Sequence, residues 1–271
     1  MTELKDKVVL VTGASSGIGW STALAFGRRG ARLVLLARRR DKLAELAQKL
    51  RALGTQALEF PCDVSDPAQA APAVDKAVAA WGRVDVLINN AGINEHVRFA
   101  EQSLENMDRI VRTNVLGAMY VISAVLGPML RQRRGHIINV ASIAGWRGLP
   151  YMSVYCASKF ALVGLTEALR AELYGSGVTL TAFCPGGVDT PMAQKVLTSP
   201  KLRAFLRPKS PEDVAEKILR ATLRRQPEVI YGEAPAAVVK LSKFFPKTVD
   251  WMAYRVYRSF REHYPPKPAV P

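Results

Sequence analysis

"KVVLVTGASSGIG", residues 7–19, is the stretch on which the fold turns. Its first half is a short, continuously apolar run rich in β-branched residues, the composition of a strand covered on both faces. Its second half, "TGASSGIG" at 12–19, is a glycine-rich turn opening into a helical stretch at 18–29. Gly13 permits the tight turn, and Gly17 and Gly19 allow close approach of a phosphate to the backbone and of the helix to the strand. The helix start offers free N–H groups and a partial positive charge to a pyrophosphate. Ser15, Ser16 and Ile18 belong to the same candidate cradle. A flexible loop would share this composition, but a loop set between the first strand and first helix of an alternating chain reads as a nucleotide turn.

Alternation continues outward from it. Further strands are expected at 32–37, 57–64, 85–92, 135–142, 178–186 and 228–232, seven with the first. Helices are expected at 41–53, 67–81, 103–133, 153–174 and 211–225. Such a series implies α/β architecture, a parallel sheet with helices on both faces. Ligands then bind beyond the carboxyl ends of the strands. Gly13, Asp63, Asn90–Gly92, Ser142 and Pro185–Gly186 all fall at such ends.

Composition narrows the class. The 271 residues are 49% hydrophobic and 23% charged, enough for a real core. No apolar run approaches the ~18 residues needed to span a bilayer, and the start lacks a signal-peptide layout, so a cytoplasmic location is the expectation. Cys62, Cys156 and Cys184 show no paired spacing and the three histidines no metal motif, so neither disulfides nor a metal site is expected. The formal charge of +15 is concentrated toward the end: residues 201–271 carry 15 basic and 7 acidic side chains. No helix-turn-helix, zinc-finger or RNP-type signature accompanies it, so nucleic acid is not the expected partner.

"YCASK" at 155–159 places Tyr155 and Lys159 four apart, on one helical face. A cation near a phenol stabilises the phenolate and brings its pKa down toward neutrality. Alone, the pair could be an accident of a surface helix. At the end of strand two the chain reads Ala37-Arg38-Arg39-Arg40, where a carboxylate would favour an unphosphorylated ribose. A guanidinium there clamps a phosphate, so NADP(H) is preferred over NAD(H), with Arg38 the first candidate and Arg39 the second.

Thr12–Gly19 with its G-x-x-x-G-x-G spacing, Asp63, Asn89–Gly92, Asn114, Ser142, Tyr155-x-x-x-Lys159 and Pro185–Gly186 together resemble the classical short-chain dehydrogenase/reductase family over residues 5–232. The resemblance implies a single Rossmann-type, doubly wound domain with a seven-stranded parallel sheet. It implies that Asp63 and Val64 meet the adenine and that Asn90, Ala91 and Gly92 line the ribose side. Pro185, Gly186, Val188 and Thr190 would meet the nicotinamide end. Tyr155 would exchange a proton with a carbonyl oxygen held by Ser142, and Lys159 would acidify Tyr155 and bond the nicotinamide ribose. Asn114 would anchor a relay water. Homo-dimers or homo-tetramers are common in the family.

The expected partner is a small carbonyl or alcohol substrate. Phe99, Trp146, Leu149, Met152, Met192, Leu197 and Phe205 suggest a lipophilic one. Residues 1–232 form the expected catalytic domain and 233–271 a basic, amphipathic helical extension, with Val249, Met252, Val256 and Phe260 on one face. That extension could touch an anionic membrane surface, cover the pocket or join subunits. The alternative to an enzyme is a non-catalytic NADP(H)-binding sensor or scaffold.

Overall fold

A computed structural model describes residues 4–194, 203, 207–232 and 236–259. The strands run β1 (Val8–Thr12), β2 (Arg32–Ala37), β3 (Ala57–Pro61), β4 (Val86–Asn89), β5 (Gly135–Val140), β6 (Val178–Pro185) and β7 (Glu228–Tyr231). All seven sequence-derived strands are present, each ending within three residues of its expected limit because their apolar runs extend into the loops that follow. They form one sheet in the order β3-β2-β1-β4-β5-β6-β7, parallel at every pairing. The order reverses between β1 and β4, so the crevice past their ends is where a doubly wound sheet receives its ligand.

Continuous apolar strands arise because each face of the sheet is covered. Val9, Val11, Leu33, Leu35 and Ile88 face Phe26 of α1 (Gly17–Gly27), Leu43 and Leu46 of α2 (Arg40–Ala52) and the helix Pro211–Arg224. Val8, Leu10, Val34, Leu36 and Leu87 face the other way, toward α3 (Pro67–Trp81) and α5 (Gly117–Arg131). The remaining helices are α4 (Leu104–Val111), α6 (Ser153–Glu172), α7 (Pro191–Gln194), α8 (the Pro211–Arg224 helix just met), α9 (Ala236–Leu241) and α10 (Pro246–Ser259). Proline at the start of α3 and α8, with side-chain caps from Asp66 and Ser210, fixes where those helices begin.

Two expectations need correction. The helix expected over 103–133 is broken at Arg112–Leu116 by a π turn that separates α4 from α5. Taken as one, Leu104–Arg131 has the length and composition of a helix able to cross a membrane, an 18-residue window within it having a mean hydropathy of 1.5, although 44% of that window is buried inside the fold. Glu105, Asp108, Arg109, Arg112 and Arg131 leave 113–130 free of charge, a run that a count of apolar letters passes over because Thr113, Asn114, Tyr120 and Ser123 interrupt it. In the fold its apolar face packs on α3 and on β4 and β5. Leu197, Phe205, Phe260 and the side chain of Val256 lie outside the described residues.

Candidate active site

Sequence dictates the turn after β1 through contacts a side chain would spoil. Gly13 has φ +66°, and a Cβ there would stand 2.9 Å from both the Ala91 Cα and the Asn90 Nδ2. A Cβ on Gly19 would come within 2.4 Å of the Gly13 carbonyl oxygen. The turn therefore lies directly on Asn90–Ala91 at the end of β4, at the switch point. Thr12 ties the two strands: its Oγ1 accepts from the Asn90 and Ala91 N–H groups, each at 2.9 Å. Asn90 Nδ2 donates to the Thr12 carbonyl at 3.0 Å. A buried polar chain continues from there. Asn89 donates to the Asn139 side chain at 3.2 Å, and Asn139 donates to Thr166 of α6 at 2.9 Å.

Helix α1 begins at Gly17 with Ser16 as an N-cap that makes no side-chain capping bond, and no acid sits in its first turn. Its leading N–H groups and positive end are thus suited to a diphosphate, so the donor set fits a dinucleotide. Ile18 packs against the α1–α2 core, and Gly17 abuts Thr190, which follows β6. Arg39, not Arg38, reaches this turn. It donates to Ser15 Oγ at 3.0 Å, the Ser15 carbonyl at 3.1 Å and Ser16 Oγ at 2.8 Å. Arg38 instead lies 3.9 Å from Asp63. Asp63 also accepts from the Ser65 N–H and hydroxyl, and Val64 is buried against Gly117. Arg39, the residue that caps α2, is thus the one of the two arginines that meets the glycine turn.

Ser142 follows β5 in extended conformation. Its Oγ accepts from the Ala144 N–H at 3.1 Å and donates to the Pro185 carbonyl at 3.4 Å. Tyr155 of α6 lies near enough to Ser142 for that hydroxyl to favour its ionised form. Pro185 closes β6, and the Gly186 N–H donates to the Tyr231 carbonyl at 2.7 Å. Val188 is buried beside them.

Lys159, one turn beyond Tyr155, is only 4% exposed and donates to the Val140 carbonyl at 2.8 Å. Its Nζ stands 5.6 Å from the centre of the Tyr155 ring. Burial pulls its ammonium down to about 8. Burial likewise pushes the Tyr155 hydroxyl up to about 12, opposed by the Ser142 hydroxyl. The expected acidification of Tyr155 is thus not a property of the protein groups alone: desolvation exceeds it.

Asn114 explains the π turn. Fully buried, it accepts from the Ile93 N–H at 2.8 Å and donates to the Ile93 carbonyl at 2.9 Å and the Ser158 hydroxyl at 3.0 Å. A Cβ on Gly92 would lie 3.3 Å from Asn114 Oδ1 and 3.6 Å from Lys159 Nζ, which puts the three side by side. Ser158, Thr12 and Asn139 are organising residues the sequence reading did not single out. Their signal was available only as hydroxyls and amides within the quoted segments.

Among the described residues no group of three or more metal-ligating side chains exists.

The family model described as short chain dehydrogenase matches residues 7–201. Ketoacyl reductase HetN of Nostoc sp. is 37% identical over 268 residues, covering 96% of this chain and 91% of that protein. The crystal structure of a variant of actinorhodin polyketide ketoreductase with NADPH is 36% identical with a TM-score of 0.74, over 79% of this chain and 89% of its own. A short chain dehydrogenase/reductase from Burkholderia phymatum in complex with NAD is 28% identical with a TM-score of 0.82, over the whole of both chains. Fold, glycine turn and family model agree: the chain belongs to the short chain dehydrogenase family, nicotinamide-cofactor oxidoreductases that work by hydride transfer.

Proposed function

We propose that the protein interconverts a ketone or aldehyde and an alcohol on a lipophilic substrate, with NADP(H) preferred over NAD(H) and Tyr155 as general acid and base. The observation that carries this reading is the convergence of Tyr155 with Ser142 after β5 and with the buried Lys159 ammonium, 5.6 Å from the Tyr155 ring one turn away. The bound nicotinamide supplies or accepts the hydride. Tyr155, protonated at neutral pH and with its pKa raised to about 12 by burial, donates its proton to the carbonyl oxygen. Ser142 Oγ bonds that oxygen as negative charge builds on it. Lys159, whose pKa falls to about 8, carries the positive charge that offsets the tyrosinate left behind. Asn114 holds Ile93 and Ser158 and so fixes α6 beside Gly92; a relay water on it would complete the path to Lys159.

Gly13–Gly19 would hold the diphosphate, Asp63 and Val64 the adenine, Asn90–Gly92 the ribose, and Pro185, Gly186, Val188 and Thr190 the nicotinamide. Support for NADP(H) comes from Ala37 in place of an acid and from Arg39 lying across Ser15 and Ser16, with Arg38 beside it. A ketoacyl-type carbonyl heads the substrate candidates, since a 37% identical relative is named a ketoacyl reductase. Residues 1–232 serve as the catalytic domain. The described part of the extension lies against it, with Lys243 Nζ 4.4 Å above the Trp146 ring and Lys240 paired to Glu228 at 2.6 Å. That contact supports a cover over the loop after Ser142 ahead of a membrane anchor, in a cytoplasmic homo-dimer or homo-tetramer.

NADPH consumption across ketones and aldehydes graded by chain length tests the reading. Turnover should appear for apolar substrates and vanish in Tyr155→Phe while NADPH binding persists. Wild-type turnover in that variant defeats the assignment, and tight NADPH binding with no oxidation across the panel would favour the sensor.

A further inference from the structure

The extension after β7 has two unlike sides. One is tied to the catalytic domain: Asp250 of α10 pairs with Arg147, Lys240 of α9 pairs with Glu228, and Lys243 rests on the Trp146 ring. Val249 and Ala253 of α10 are half-buried. The other side faces solvent. Leu241, Phe244, Phe245, Trp251, Met252 and Tyr254 are all exposed, Phe244 by 75% and Trp251 by 58%. Nowhere else among the described residues do large exposed hydrophobic side chains fall so densely along the chain. Apolar side chains gathered this way in water mark a surface that meets a partner.

Charge narrows the partner. Lys247, Trp251 and Arg255 stand four apart on α10 and form one exposed stripe, with Met252 beside it. Arg255 lies 5.0 Å from the centre of the Trp251 ring. Among the described residues neither Lys247 nor Arg255 pairs with a carboxylate, and Asp250, the one acid of the helix, is taken up by Arg147. Basic side chains interleaved with aromatic ones match the boundary of an anionic bilayer, where cations meet the headgroups and aromatic rings enter the acyl edge. Residues 201–271, with 15 basic and 7 acidic side chains, add a longer-range attraction of the same sign. A second copy of the chain seated on the stripe would set like charges together. A soluble polyanion would leave the phenylalanines in water.

We propose that the exposed stripe of α10, with the Phe244–Phe245 corner ahead of it, is a docking surface for an anionic lipid bilayer. The helix lies flat on the headgroups while its other side keeps its contacts with the loop after Ser142, so docking leaves the cover in place. The surface is independent of the redox reading above, and binding alone tests it. Phosphatidylcholine vesicles, with and without phosphatidylserine, are sedimented with the full chain. The protein should pellet with the phosphatidylserine vesicles and stay in the supernatant with phosphatidylcholine alone. Lys247→Gln combined with Arg255→Gln should lower the partition at least tenfold, since each cation beside such a surface contributes about fivefold. Lipids brominated in the acyl chain should quench Trp251, the exposed tryptophan, more than the half-buried Trp20, Trp81 and Trp146. Trp251→Phe should still pellet yet lose that quenching, a result that misfolding cannot mimic. Absence of pelleting, unchanged partition in the double variant, or quenching that survives Trp251→Phe overturns the proposal. Binding to polyglutamate as tight as binding to the vesicles overturns the bilayer in favour of a soluble acidic partner.

Discussion

Replacing Lys159 by Met should stabilise the protein in a pH-dependent way while abolishing turnover. The wild-type ammonium is almost fully buried, and its pKa falls from 10.5 to about 8. At ~1.36 kcal/mol per unit, keeping the charge in the fold costs about 3 kcal/mol below pH 8. The folded pKa is the depressed one, so between 8 and 10.5 the unfolded chain binds more protons than the folded one. Wild-type stability therefore gains as pH rises through this window and forfeits the gain as pH falls through 8. Met is close in volume and has no such titration, but it leaves the Val140 carbonyl without its 2.8 Å donor, at a pH-independent cost of about 1–3 kcal/mol. The difference between the two proteins isolates the lysine. From pH 7 to pH 9.5 the wild type should gain about 2 kcal/mol on Lys159→Met, and stopping there avoids the tyrosine, whose window opens at 10. Titrating cysteines are common to both proteins and cancel to first order. Urea unfolding at each pH gives the difference directly. A gap that stays constant across the range would refute the claim that folding forces a charged amine into a dry site.

Arg39→Glu should raise KM for NADPH relative to that for NADH by about tenfold or more, from loss of a charge-assisted phosphate contact and introduction of repulsion; an unchanged ratio in steady-state kinetics removes Arg39 from cofactor choice. Gly19→Ala should destabilise by about 1–3 kcal/mol, because its Cβ has only 2.4 Å to the Gly13 oxygen. Gly164→Ala, exposed on α6 with nothing within 4 Å, should stabilise by up to about 1 kcal/mol, and thermal melts of the pair check both signs. His136, buried between Thr179 and Thr181, has its pKa pulled from 6.5 to about 4 by burial. Its neutral form contributes stability above 6.5 that is progressively forfeited as pH falls toward 4, up to about 3 kcal/mol. His136→Gln should therefore flatten the acid limb of the unfolding midpoint between pH 6.5 and 4.5, and an unaltered limb counts against it.

What the sequence carried well was periodicity and punctuation. Strands buried on both faces have a one-dimensional signature, and all seven appeared near their expected limits. Tyr155 and Lys159 share a face by helix geometry, and Ser142 lies two residues past the end of β5. What it carried badly depends on neighbours distant in the chain. Arg38 and Arg39 are indistinguishable as letters; which one lies on Ser15 depends on how the residue ahead of α2 faces β1. The tyrosine's acidity depends on its surroundings in the same way. A pair four apart suggests one favourable charge, but burial, set by the sheet and helices around α6, raises the Tyr155 pKa, and Ser142 is the group that opposes the rise.

Asn114 brings the two kinds of information together. In the sequence it is one polar residue in a long helical stretch, with no periodic reason to interrupt it. In the fold, its amide takes both backbone groups of Ile93 and the Ser158 hydroxyl, satisfying two segments that do not otherwise pair at that level. A regular helix would need to keep its narrower turn there, whereas the π turn at Arg112–Leu116 widens to bring the amide against Gly92 and Lys159. The irregularity thus lies at the junction of the β4 loop with α6. Local propensity yields to tertiary hydrogen bonding where these residues meet, which is why their convergence could be expected from the sequence but the backbone that presents them could not.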